Sequence, residues 1–218
     1  MPATVIVPVS DRLDELVLDL HVSEELVEQV HHAAQEVGGY PIFLRTDQAS
    51  GKHGWEKTCF VPDADSLPEH IRAVVEENIL AGILGLQFTA LVVREFLELD
   101  TRFTAFRGHM PIARERRYFV REGHVECHHV YWVERAVWRG MYASGIPEST
   151  WRPLLADLNR ETPDEVQVLT EYAECAGQAL GGYWSVDFAM TRKGVWYLID
   201  MARGEVSYHP EECPYSQE

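Results

Sequence analysis

The chain has 218 residues, 46% of them hydrophobic, and a formal net charge of −16 at pH 7. That length holds one generous core or two small lobes, and the charge, with three lysines among nineteen basic residues, disfavours bulk attraction to nucleic acid or an anionic membrane and leaves room only for a local basic patch. The longest apolar runs, such as 79–86, fall far short of the roughly 20 residues that span a bilayer. With no basic-then-apolar leader at the start, a cytoplasmic protein is expected.

In chain order, 4–10 (TVIVPVS) read as a strand and 23–39 as a helix, capped by Ser23, with two glutamates in its first turn and a glycine stop. Segments 40–46 (YPIFLRT) and 55–61 (WEKTCFV) read as a strand pair flanking a Gly-Lys loop. This is not a Walker-type phosphate loop, because Thr46 stands where the first glycine belongs and His53 where the hydroxyl residue belongs. It is either a phosphate loop of another kind or a plain turn between strands. Ser66 and Glu69 have capping-box spacing and open a helix carrying Ile71, Val74, Val75, Ile79, Ile83 and Leu84 at helical spacing. After Leu86 the chain is rich in β-branched and aromatic residues, with turns at Gly108 and Gly123, which predicts a mostly antiparallel sheet. A helix over 164–180 precedes two last strands, 183–190 and 194–202, joined by the short turn TRKG.

Four cysteines (Cys59, Cys127, Cys175, Cys213) lie scattered without a CxxC pair, which suits reduced packing thiols better than disulfides or structural zinc. The CHH run at 127–129 reads as packing too, since adjacent strand residues alternate faces and tetrahedral sites want separated ligand pairs. The basic run RERR at 114–117 lies in a strand, so only half of it lines any one site. Asp187 and Asp200 are each embedded in apolar strand sequence on the two arms of the last hairpin. Side by side, two such carboxylates are costly without a cation, and magnesium uses hard oxygen ligands of this kind when it binds a nucleotide. Alternatively, one aspartate faces solvent or pairs with an arginine.

The order of these features, from a basic strand and glycine loop through "VVREFLELDTRF" to an Asp-strand-Asp hairpin, resembles the ATP-grasp superfamily over about residues 40–205, most specifically in "GVWYLIDMARGE". The resemblance implies an α+β ATP-grasp fold, one compact unit over 1–218. Two α+β lobes, lobe A about 1–88 and lobe B about 89–218, carry mainly antiparallel sheets and bind nucleotide between them. It implies ATP and Mg2+ as cofactors. On this basis Arg45 stands where the family strand ends in a phosphate-binding lysine, and Lys52 reaches a terminal phosphate from the mobile loop. Glu95, Phe96 and Leu97 resemble the hinge that reads adenine, and Glu98 or Asp100 the ribose contact. Arg102 and Arg116 match the phosphate- or acyl-phosphate-contacting arginines, Arg102 having a plain salt bridge as its alternative. Asp187 and Asp200 are similar to the metal carboxylates. Two residues past the second carboxylate the family often has asparagine; here Ala202 stands there, and Glu205 is the substitute third ligand. The implied activity is ADP-forming ligation of a carboxylate to an amine or other nucleophile, with an unidentified small-molecule or peptide acceptor. With only about 40 residues before the phosphate strand, the resemblance also admits an ATP-binding assembly factor with a protein partner, similar to compact ATP-grasp chaperones of a translation initiation factor, and thirdly a phosphotransferase.

Overall fold

A computed structural model describes residues 1–82, 88–106, 109–142, 144–211 and 213–215. Apart from Met1, the chain divides into two compact units, 2–97 and 98–218.

The first unit contains β1 (Thr4–Pro8), α1 (Leu13–Leu18), α2 (Glu24–Glu36), β2 (Ile42–Thr46), β3 (Phe60–Val61), α3 (Leu67–Gly82) and β4 (Ala90–Glu95). Its sheet has the order β1-β4-β2-β3, with every pair antiparallel. The Ser23 hydroxyl accepts the Leu26 N–H at 3.3 Å, as the expected cap requires. One face of the sheet, through Ile42, Leu44, Leu91 and Val93, packs on Leu26 and Val30 of α2 and Ile71, Val74 and Val75 of α3. Each such aliphatic side chain contributes about 1.5–3 kcal/mol of burial. Pairing of β4 with both β1 and β2 moves the boundary expected at residue 88 to residue 97: the strand's hydrogen-bonding partners lie upstream, although its composition resembles that of the strands downstream. Ile83, Leu84 and Gly108 lie outside the described residues.

The second unit contains β5 (Thr101–Ala105), β6 (Met110–Ala113), β7 (Glu115–Arg121), β8 (His124–Val130), α4 (Glu134–Tyr142), α5 (Glu148–Leu158), α6 (Pro163–Leu180), β9 (Tyr183–Met190) and β10 (Trp196–Arg203). β5 and β6 form a separate ribbon, and the main sheet has the order β10-β9-β7-β8, again antiparallel. α6 starts on Thr162, whose hydroxyl accepts the Glu165 N–H at 3.1 Å, with Pro163 at its first position. Leu169 and Ala173 of this helix cover Tyr118, Val120, Val186 and Phe188, one face of the main sheet. α4 and α5 carry Val137, Met141, Trp151, Leu155 and Leu158 into a second core against the ribbon. No helix among the described residues is long and apolar enough to cross a membrane.

Candidate functional site

In the first unit, Ile42 and Leu44 face the helices, so Phe43 and Arg45 lie on the opposite face of β2. Arg45 is 8% exposed, and its Nε donates to the Thr46 carbonyl at 2.9 Å. Thr46 closes the strand: its hydroxyl accepts the Ala49 N–H at 2.9 Å and lies 2.6 Å from Asn78 Oδ1. The second arm of the expected strand pair shrinks to Phe60–Val61, because 52–57 wind into tight 3-10 turns opened by Lys52. Gly51 takes φ +63°, and a Cβ on Gly54 would stand 2.7 Å from Thr58 Cγ2, so both positions need glycine. The Thr58 hydroxyl donates to the Gly51 carbonyl at 2.5 Å. Trp55 lies parallel to Phe60 with centroids 6.2 Å apart and close to Phe43 and Phe96. The loop is therefore a built structure on an aromatic base. Burial pushes the neighbouring Cys59 thiol up to about 12, which makes it an unreactive packing group.

The expected hinge runs out of β4. The Glu95 carboxylate accepts the Ala3 N–H at 3.0 Å, and Phe96 meets Phe60 edge-on at 5.1 Å. Leu97 is half-buried, and Glu98 is exposed, its carbonyl accepting the Arg192 N–H at 2.8 Å. Asp100 is drawn into an ion-pair group: Arg102 Nε at 3.1 Å and Arg114 Nε at 3.2 Å, with both arginines reaching Asp157 as well. Arg102, 41% exposed, thus has the salt-bridge partners of its alternative reading and retains an exposed edge.

The main sheet brings Asp187 and Asp200 directly opposite each other. A register shift between Leu198 and Asp200 makes this pairing: Leu198 opposes Phe188, and without the extra residue Asp200 would fall opposite Val186 and turn to the α6 face. On the other side of Asp187 stands Arg117, and beyond it His129, so one row crosses four strands as His129, Arg117, Asp187 and Asp200. Arg117 grips Asp187 with two hydrogen bonds of 2.7 Å, from Nε and Nη2, lies 4.8 Å from the Tyr131 ring centroid and donates from Nη1 to the Tyr208 carbonyl at 3.4 Å. Burial opposes its charge, but the hydrogen bonds and charge of Asp187 outweigh burial and raise its pKa. The Asp200 Oδ1 accepts the Met201 N–H at 3.1 Å. A cavity of about 400 Å³ next to the row is lined by Arg117, His129, Tyr131, Arg135, Arg139 and Tyr208, among others.

Two expected site residues lie elsewhere. Arg116 is fully buried on the opposite face of β7. Its Nε reaches Glu165 at 2.7 Å and Glu161 at 3.2 Å, and its other nitrogens donate to the carbonyls of Glu115, Leu158 and Arg160. A guanidinium so engaged presents nothing to a phosphate; strand alternation gives that opportunity to Arg117, which sequence reasoning passes over. Glu205 is exposed in the turn after β10, near Arg121 and Tyr183. It follows the end of β10, five residues past Asp200 and beyond the last paired rung, Arg203 with Trp184.

Residues 36–216 match the model of a family described as an ATP-grasp domain, family 3 of its clade. No curated protein sequence matches the chain. Among solved structures, C-terminally truncated Cdc123 from Schizosaccharomyces pombe is similar at a TM-score of 0.55 and 11% identity, over 93% of this chain and 78% of that one. Cdc123 from Schizosaccharomyces pombe gives a TM-score of 0.54 at 11% identity over 93% and 78%. A RimK domain ATP-grasp protein from Sphaerobacter thermophilus gives 0.44 at 15% identity over 95% and 53%. At 11% identity the likeness to the two Cdc123 structures is one of fold.

Proposed function

Since the chain belongs to this family of ATP-grasp domains, we propose that it binds ATP with magnesium and activates a carboxylate as an acyl phosphate for attack by an amine or another nucleophile. The observation that carries this reading is the cross-strand row of Arg117, Asp187 and Asp200.

The residues present fit a magnesium ion as far as two carboxylates go. Arg117 occupies one lone-pair direction on each Asp187 oxygen, and a carboxylate has about four such directions, so Asp187 retains acceptor capacity beside Asp200. Magnesium, when bound, neutralises phosphate charge and polarises the phosphoryl oxygens. Asp187 and Asp200 would hold it, with Glu205 set aside. Arg117 keeps a charged edge beside the carboxylates, suited to phosphate oxygens. Arg45 and Lys52 are the proposed phosphate contacts of the first unit, Arg102 a further cation of the second, and the 95–100 segment the proposed nucleoside contact. Arg139, with Arg117 on the cavity wall, supplies positive charge for an anionic acceptor, while Arg135 there is paired with Glu211 at 3.2 Å. In the reaction the acceptor carboxylate oxygen bonds to the γ-phosphorus as the bond to the ADP oxygen breaks. The nucleophile then bonds to the acyl carbon, inorganic phosphate leaves with the C–O bond electrons, and an attacking amine gives up a proton. The chain's contribution is positioning and charge placement.

Thermal melts of the wild type and Asp200→Asn, with and without magnesium and ATP, test the site. Asparagine can still accept the Met201 N–H, so the ligand-free variant is expected to melt with the wild type or slightly above it, while most of the magnesium-ATP shift disappears. A variant several degrees less stable alone, with the nucleotide shift intact, would sink the metal site. Turnover decides the activity: ADP release that requires both a carboxylate and an amine supports ligation. Tight ATP binding without turnover replaces it with the assembly-factor reading, and phosphoryl transfer to a stable phosphate product with the phosphotransferase.

A further inference from the structure

On the same sheet face as the carboxylate row, Cys127 and His129 stand two residues apart on β8, while His128 between them turns away and stacks on Tyr118. The segment after β10 brings His209 and Cys213 to the same place: one ligating atom from each of Cys127, His129, His209 and Cys213 lies within 4.8 Å of all the others. We propose that these four side chains form a structural zinc site that fastens His209 and Cys213 to β8.

A tetrahedral site with Zn–S near 2.3 Å and Zn–N near 2.0–2.1 Å has ligand-to-ligand spacings of roughly 3.3–3.8 Å. The Cys127 Sγ to His209 Nε2 distance is already 3.3 Å, and the 4.8 Å outer limit closes by small side-chain movements. The spacings fit as well. Cys-x-His puts two donors on one face of a strand. His-x3-Cys closes on itself because the Cys213 N–H donates to the Pro210 carbonyl at 3.0 Å. His209 is fixed from outside the cluster by stacking on Phe119, centroids 3.9 Å apart.

The site also explains a buried group that packing leaves unresolved. His129 Nε2 is buried with no hydrogen-bond partner among the described residues, which is costly in a native interior. Two thiolates and two neutral imidazoles cancel the charge of Zn2+, which suits a half-buried site beside the Arg117 guanidinium. Two thiols and two imidazoles select zinc over magnesium or calcium, which take oxygen. Binding forms two Zn–S and two Zn–N bonds and breaks two S–H bonds, the protons passing to buffer. All four positions are protein ligands, so the site is closed and structural. The sequence holds the signal in CHH at 127–129 and HPEEC at 209–213. Reading the first as packing misses a ligand pair about 80 residues downstream.

The test uses the full-length chain, untagged and expressed with zinc. Elemental analysis is expected to find about one zinc per chain. Chelator removal should lower the melting temperature by several degrees and re-addition of zinc should restore it. Cobalt in place of zinc should give the visible bands of a tetrahedral thiolate site. Cys213→Ser and His209→Ala, in the late segment where folding is least at risk, should each weaken metal retention at least tenfold, and Cys175→Ser, at an exposed cysteine outside the cluster, should keep it. Wild-type protein that neither carries zinc nor takes up cobalt would overturn the proposal. So would undiminished zinc in the Cys213→Ser, His209→Ala double variant, or a non-reduced mass showing a Cys127–Cys213 disulfide.

Discussion

The two faces of the β10-β9-β7-β8 sheet treat the same residue type in opposite ways. On the α6 face Arg116 is fully buried, with carboxylates and carbonyls around its guanidinium and the Trp196 ring 5.6 Å away. On the other face Arg117 is 17% exposed and shares its row with two carboxylates and the cavity wall. One arginine neutralises charge so that a helix can pack on a strand; the other pairs with Asp187 at the edge of a cavity. A basic run in a strand is thus two populations, and only the register of its neighbours says which is which.

The largest test of that division is Arg116→Met. Removing this charge leaves Glu161 and Glu165, 26% and 12% exposed, without their shared partner; breaking a fully buried pair costs about 3–5 kcal/mol, which is the ceiling here, against the roughly 5–15 kcal/mol typical of a domain. Urea or thermal unfolding should show the loss equally with and without magnesium-ATP. A phosphate-binding Arg116 predicts the reverse, an intact ligand-free melt and a lost nucleotide shift. Asp187→Asn comes next. The amide nitrogen would face Arg117 Nη2, donor against donor, so the ligand-free protein should lose about 1.5–3 kcal/mol, as for a charged hydrogen bond. Because Asp187 is also a proposed metal ligand, the magnesium-ATP shift should fall too. Asp187→Asn thus loses two things where the Arg116 variant loses one, and an Asp187→Asn protein with full nucleotide response would merge the two faces again.

Much of this architecture is legible from local chemistry. Ser23 opening α2 and the 164–180 periodicity behind α6 are readable because caps and helical spacing act within a few residues. The pairing of Asp187 with Asp200 follows from a short turn between two strands, although the register shift at Ile199 that aligns them is not readable. α4 and α5 escape sequence reading: Val137, Trp138 and Gly140 in the first and Pro153 in the second argue locally against a helix, and burial against the ribbon overrides them. Sequence alone favours Arg116 over Arg117 for want of a parity reference, since a one-residue offset exchanges the faces. The CHH and HPEEC runs are both visible in the sequence, but nothing local joins them, because about 80 residues separate the two.

The smallest expected effect is a titration on the Arg116 face. Burial raises the Glu161 carboxyl, but His128, whose Nδ1 is 3.3 Å away, and the charge of Arg116 at 3.2 Å outweigh it, so its pKa is lowered. A carboxylate held below its unfolded value contributes stability in full above that value, about 4.3, and loses the contribution as pH falls through the folded pKa. Glu161→Gln should therefore melt below wild type at neutral pH, and the gap should close as the solution is taken below about pH 4. The gap is small because Glu165, at 2.7 Å, still holds Arg116. Melts from neutral pH downward measure it directly, and a gap that stays constant with pH would mean that Glu161 contributes through packing alone.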